Sequence, residues 1–128
     1  MKHLHLLLQG WKGMFDVNVI GMSICTREAV KLMKDAGVDD GHVVNLNSIV
    51  GHFVGPRLKA YSATKYAVTA LTEGLRQELC QEKSHIRTTS ISPGFVKTEF
   101  AARFVDQWFK NTIVSFSHCN CIIAGFTY

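Results

Sequence analysis

Tyr61 and Lys65 stand four residues apart in Tyr61-Ser-Ala-Thr-Lys65, with Ser48 a short way upstream. On a helix that spacing sets a phenol and an ammonium on one face, a turn from each other. An unperturbed phenol has a pKa of about 10, too high to exchange protons freely near neutrality. A cation held close by lowers it by about 1–3 pH units, towards the range that suits general acid–base work. A hydroxyl at the end of a neighbouring strand would bond the reacting oxygen and hold it in line. The chemistry named by these three side chains is proton exchange at a carbonyl or alcohol oxygen. Taken alone, Tyr-x-x-x-Lys is a weak signal, and a surface tyrosine packed on a lysine stem accounts for it as well.

The elements that must position these groups follow from periodicity. Phe15, Val19, Met22, Cys25, Ala29 and Met33 recur at three- and four-residue steps and predict a helix over 14–35, with Gly37 as its stop. His42-Val-Val-Asn-Leu-Asn-Ser48 is a β-branched run that suits a buried parallel strand. Residues 49–58, with Gly51, Gly55 and Pro56, read as a loop beside a site. A second helix is expected over 60–81, with Val68, Leu71, Leu75 and Leu79 on its apolar stripe. Ile86-Arg-Thr-Thr-Ser-Ile-Ser92 reads as a second strand, stopped by Pro93-Gly94, and a short helix is expected at 98–109. Helix, strand, helix, strand, with crossovers long enough for parallel pairing, predicts an open α/β sheet.

Composition narrows the field. The 128 residues are 47% hydrophobic and carry a net charge of +4, so the chain is expected to be globular. Its basic residues are scattered, which argues against a nucleic-acid partner. No run is long enough to span a bilayer. The apolar start after Met1 is too short and too interrupted for a signal peptide, which gives a cytoplasmic expectation. The four cysteines are Cys25, Cys80, Cys119 and Cys121. The first two fall in predicted helices, where small buried thiols are common. His118, Cys119 and Cys121 lack paired zinc spacing, so no metal is expected. Asn111 to Tyr128 carries no charged side chain and reads as a strand or an aggregation-prone tail.

Four features stand in order along the chain: Asn18-Val-Ile-Gly21, Asn45-Leu-Asn-Ser48-Ile-Val-Gly51, Tyr61-Ser-Ala-Thr-Lys65 and Ser92-Pro93-Gly94-Phe-Val-Lys-Thr98. Together they resemble the short-chain dehydrogenase/reductase family over about residues 11–104. Within it, the wording around Tyr61–Leu79 and Ser23–Ala29 is similar to a branch of NADP-dependent reductases of ketosteroids and other carbonyls. The resemblance implies a Rossmann-like, doubly wound parallel sheet. It implies Tyr61 as catalytic acid/base, Ser48 as the group orienting the substrate carbonyl, and Lys65 as a ligand of the nicotinamide ribose. Asn18 would hold a water linking Lys65 to solvent. Pro93, Gly94 and Thr98 would line the nicotinamide pocket. Singly, each has a plainer account: Asn18 as a helix residue bonded to nearby backbone, Pro93-Gly94 as a turn, Thr98 as a helix cap.

The glycines form no Gly-x-Gly-x-x-Gly turn of the kind that cradles a pyrophosphate at a helix N-terminus. The fold is therefore expected to be a partial Rossmann sheet lacking the N-terminal dinucleotide-binding strands. An atypical segment at 1–10 and a divergent apolar tail at 105–128 would flank the catalytic half at 11–104. Such a chain is expected to be a fragment, a shortened splice form or an incomplete gene model. Two functions stay open. One is an oxidoreductase moving a hydride between NADP(H), or NAD(H), and a small carbonyl or secondary alcohol. The other is a catalytically incompetent form that associates with full-length subunits through helices 14–35 and 60–81, which the family uses as its subunit interface. A third outcome is an unstable product that is degraded.

Overall fold

The computed structural model describes residues 2–55, 58–94, 96 and 122–124. The helix expected at 98–109, with Thr98, and the His118–Cys121 cluster lie outside the described residues, as does Pro56. One long helical rod opens the chain. It comprises α1 (Lys2–Phe15), a π-helical segment (Asp16–Gly21) and α2 (Met22–Asp35). The helix thus begins well before residue 14, and the periodic stripe marked only its second half. Its stop is the expected one. Gly37 takes φ 69°, Gly37 N–H donates to Lys34 O at 3.0 Å and Val38 N–H to Met33 O at 2.8 Å. This is the doubled C-terminal closure that a left-handed residue makes possible, and glycine adopts that conformation without a Cβ penalty.

Strand β1 (His42–Leu46) pairs in parallel with β2 (Arg87–Ser92), in a register running from His42↔Arg87 to Leu46↔Ile91. The crossover between them is α3 (Lys59–Gln81), the long connection that parallel pairing demands. A third strand, β3 (Ile122–Ala124), pairs antiparallel with β2, so the sheet order is β1-β2-β3. The uncharged tail therefore does supply a strand. The partial Rossmann-type α/β sheet is the fold expected from the order of elements.

The core lies on one face of this sheet. Val43 of β1 packs with Val30 of α2, Leu79 of α3 and Ile86, and Met33 and Leu75 close around them. Beyond that cluster the covered face is polar. Asn45 donates to Thr72 at 3.0 Å and Asn47 to Thr69 at 2.8 Å, so strand amides are matched by hydroxyls of α3. The other face is different: Val44 is 51% and Leu46 67% exposed. β1 was expected to be a buried parallel strand. It alternates instead, because both helices pack on the Val43 side. The stripe of α3 is corrected in the same way. Thr64, Lys65, Val68, Thr72 and Leu79 are buried, while Leu71 turns outward at 41% exposure.

Candidate active site

Ser48 follows β1 in extended backbone (φ −162°, ψ 156°) and caps a short 3-10 turn, Ile49–Gly51. Its Oγ accepts the Val50 N–H at 3.4 Å, which orients the side chain. Two backbone bonds fix this turn to the end of β2: Asn47 N–H to Ile91 O at 2.7 Å, and Ile49 N–H to Pro93 O at 2.9 Å. Gly51 lets the turn approach α3. A Cβ there would stand 2.6 Å from Asn47 Oδ1 and 2.9 Å from the backbone oxygen of Lys65.

Tyr61 lies in the first turn of α3, half-buried, with its side chain hydrogen-bonded to that of Ser48. Lys65, one turn on, is 9% exposed. Its Nζ donates to Leu46 O at 2.9 Å and lies 5.7 Å from the centre of the Tyr61 ring. Asn18 sits inside the π-helical segment, and its Nδ2 donates to Thr64 Oγ1 at 3.1 Å. Thr64 Oγ1 in turn donates to Tyr61 O at 2.7 Å. The structure thus brings Asn18, Ser48, Tyr61, Lys65 and Pro93 to one end of the sheet, with Gly94 next in the chain. This is the carboxyl end of the parallel strands, where open α/β sheets place their sites. Asn18 and Lys65 also line a groove of about 560 Å³ that runs beside β1 and α2.

The electrostatics correct one expectation. Burial pushes the Tyr61 phenol up from its ordinary value, and the Ser48 hydrogen bond pulls it back only in part. Burial also lowers the Lys65 ammonium. The net effect on the phenol is upward, whereas proximity of the cation was expected to bring it down. The cause is burial: desolvation penalises the charged phenolate and outweighs the Ser48 hydrogen bond.

Two features of the site carry no signal in the sequence pattern. One is the π-helical segment, which places Asn18 against α3; the apolar stripe runs through it without a break. The other is Thr64, which lies between Tyr61 and Lys65 and bonds both the Asn18 amide and the Tyr61 carbonyl. Cys25 and Cys80 sit on helices as expected but are exposed free thiols, not buried ones. No group of metal-binding side chains occurs among the described residues. No helix among them is long and apolar enough to cross a membrane.

A hydroxyl, a phenol and an ammonium are thus grouped at the carboxyl end of the parallel strands of a partial Rossmann-type α/β sheet. The short chain dehydrogenase family profile matches residues 2–108. The chain belongs to that family. It is 54% identical over 115 residues to dehydrogenase/reductase SDR family member 11 of Mus musculus and equally to that of Homo sapiens, covering 88% of this chain and 44% of each relative. It is 50% identical over 86 residues to a farnesol dehydrogenase of Aedes aegypti, covering 66% of this chain and 35% of that one. Among solved structures, a 4-hydroxyisoleucine dehydrogenase mutant complexed with NADH and succinate superposes with a TM-score of 0.70 at 33% identity. That match covers 80% of this chain and 42% of the other. The chain therefore spans less than half the length of these relatives.

Proposed function

We propose that this chain carries the proton-transfer half of an oxidoreductase site acting on a small carbonyl or secondary alcohol, with ketosteroid-like compounds as the favoured class. The observation that supports this best is the Tyr61–Ser48 hydrogen bond, with the Lys65 ammonium 5.7 Å from the phenol ring. In the reducing direction the Tyr61 hydroxyl gives its proton to the carbonyl oxygen. The Ser48 hydroxyl donates a hydrogen bond to the same oxygen and fixes its place. Lys65 stabilises the phenolate left behind, and Asn18 holds the water path by which that phenolate is reprotonated. A phenol raised by burial is protonated at neutral pH, the state in which it acts as an acid.

The cofactor of this reading is NADP(H), with NAD(H) as the alternative. A bound nicotinamide would supply or accept the hydride. Lys65 and Tyr61 form a donor set that suits ribose hydroxyls, and Pro93, Gly94 and Thr98 would line the nicotinamide end. No glycine-rich turn in these 128 residues fits the pyrophosphate. Fluorescence titration with NADPH and NADH tests the assignment. Saturable binding, tighter for NADPH and weakened by Lys65→Met, is expected; no saturable signal from either nucleotide would refute it.

A second reading rests on the groove of about 500 Å³ between α2 and α3, into which Ala70, Leu71 and Gly74 face. Here the chain associates with a full-length family subunit through that helical surface and performs no catalysis itself. Co-purification with such a subunit is expected on this reading, and a monodisperse monomer in its presence argues against it. The cytoplasm is the compartment assigned on either reading, in keeping with the free thiols Cys25 and Cys80.

A further inference from the structure

The turn that carries Ser48 is joined to β2 by backbone bonds on its leading side, from Asn47 and Ile49. Its trailing side has a different tie. His52 closes the 3-10 turn, its N–H donating to Ile49 O at 3.0 Å, and its imidazole Nε2 lies 2.8 Å from Ser92 Oγ. Ser92 is wholly buried, and Pro93 follows it directly. The geometry points to His52 as a positioning residue: through Ser92 it clamps the Ser48 turn to the Pro93-Gly94 turn, and so sets the Ser48 hydroxyl against Tyr61.

The inference deepens the proposed acid–base reading and rests on it for its functional meaning. The physical argument is about leverage. Ser48 Oγ is oriented inside the turn by a long bond from Val50 N–H, at 3.4 Å. A turn held at one side only can rock about its leading strand. A second tie at His52 removes that freedom, because its partner Ser92 is wholly buried. Thr69 supports the same turn from α3 by donating to Gly51 O at 3.1 Å. The turn is thus held between helix and strand, and His52 adds the trailing tie on the strand side. Either imidazole tautomer can bond a hydroxyl, since Ser92 both donates and accepts.

The test reads the Ser48–Tyr61 bond directly, without cofactor or turnover. The full chain is labelled with 13Cζ-tyrosine, and the three tyrosine resonances are titrated with base; Tyr61→Phe assigns Tyr61. Loosening Ser48 removes an interaction that favours the phenolate, so His52→Ala moves the Tyr61 midpoint upward. His52→Gln, whose amide reaches the position of Nε2, restores the wild-type midpoint. Ser92→Ala reproduces the His52→Ala shift, and the double variant goes no further than either single one. An unchanged Tyr61 midpoint in a His52→Ala chain with wild-type far-UV circular dichroism overturns the proposal. So do additive shifts in the double variant. His52 is exposed, so the His52 variants decide the matter even where Ser92→Ala does not fold. Absence of nucleotide binding would sink the oxidoreductase reading and leave this titration intact, which separates the two failures.

Discussion

Replacing Gly51 by alanine places one methyl group where the structure has no room for it. The new Cβ would stand 2.6 Å from Asn47 Oδ1, 2.9 Å from Asn47 Nδ2 and 2.9 Å from Lys65 O. The last contact is backbone of α3 and cannot swing aside. Relief by moving the turn costs about 1–3 kcal/mol, as overpacking does in well-fitted interiors. Relief by moving Asn47 breaks its 2.8 Å bond to Thr69 and strands an amide that is 3% exposed, which adds about 1–3 kcal/mol. The expected loss is therefore about 2–6 kcal/mol. Urea unfolding followed by circular dichroism measures it. With an m-value of about 1–3 kcal/mol/M, the midpoint falls by about 0.7 M or more. Gly74→Ala is the matched control. Nothing lies within 4 Å of its added Cβ, and glycine in a helix interior is worth about 0.5–1 kcal/mol less than alanine. The same chemical change should thus stabilise at Gly74 and destabilise at Gly51. A Gly51→Ala chain within about 0.5 kcal/mol of wild type, the ordinary range of a harmless substitution, would refute the packing argument.

Lys83 closes α3 at φ 57°, a left-handed conformation that costs a side-chain-bearing residue about 1–2 kcal/mol, so Lys83→Gly should raise stability by about 0.5–1 kcal/mol in thermal unfolding. The Asp39 carboxyl is held below its ordinary range by bonds from Ser84 and His85, and Glu73 is held at about 2 by Arg76 and Gln77. Depressed folded values stabilise above the ordinary carboxylate range, and that contribution is lost as pH falls through the folded values. Stability should therefore decline from the ordinary carboxylate range down to about 2, and Asp39→Asn with Glu73→Gln should flatten that limb in acid titrations. Tyr61 works in the opposite sense: its raised folded value stabilises below the ordinary 10.0, and the contribution disappears as pH rises through the folded value. Unfolding measured across that alkaline window should depend less on pH in Tyr61→Phe than in wild type.

Local signals carried much of the fold. Gly37 was readable as a helix stop because only a left-handed residue closes the helix in this way. The β-branched run from His42 marked β1, and the order of elements gave the parallel pairing. The grouping of Ser48, Tyr61 and Lys65 was legible because helical spacing and strand ends are local properties. What escaped depends on the assembled chain. Burial on one face of β1 follows from where α2 and α3 pack, which no window of sequence records. The outward turn of Leu71 has the same origin, since Thr64 and Thr72 take the inner positions to match Asn18 and Asn45. The direction of the Tyr61 shift was not legible because a cation's proximity can be counted along a helix, whereas the burial that raises the phenol follows only from the assembled chain.

The π-helical segment at Asp16–Gly21 changes how this stretch must be counted. A wider turn accommodates one residue more than an α-turn, and each residue of an α-helix advances the rotation by about 100°. The phase of α1 is thereby offset from that of α2, and a ruler laid along one half misreads the other. A relative with an unbroken α-helix here would align with a one-residue gap, and that gap would fall beside Asn18. Deleting a single residue between Asp16 and Gly21 would leave every side chain of the site in the sequence save the one removed. It would still turn the leading helix by about a quarter of a revolution relative to α3 and separate the Asn18 amide from Thr64. The inheritance of that amide's position is thus an inheritance of length, and comparisons that score residue identity alone will pass over it.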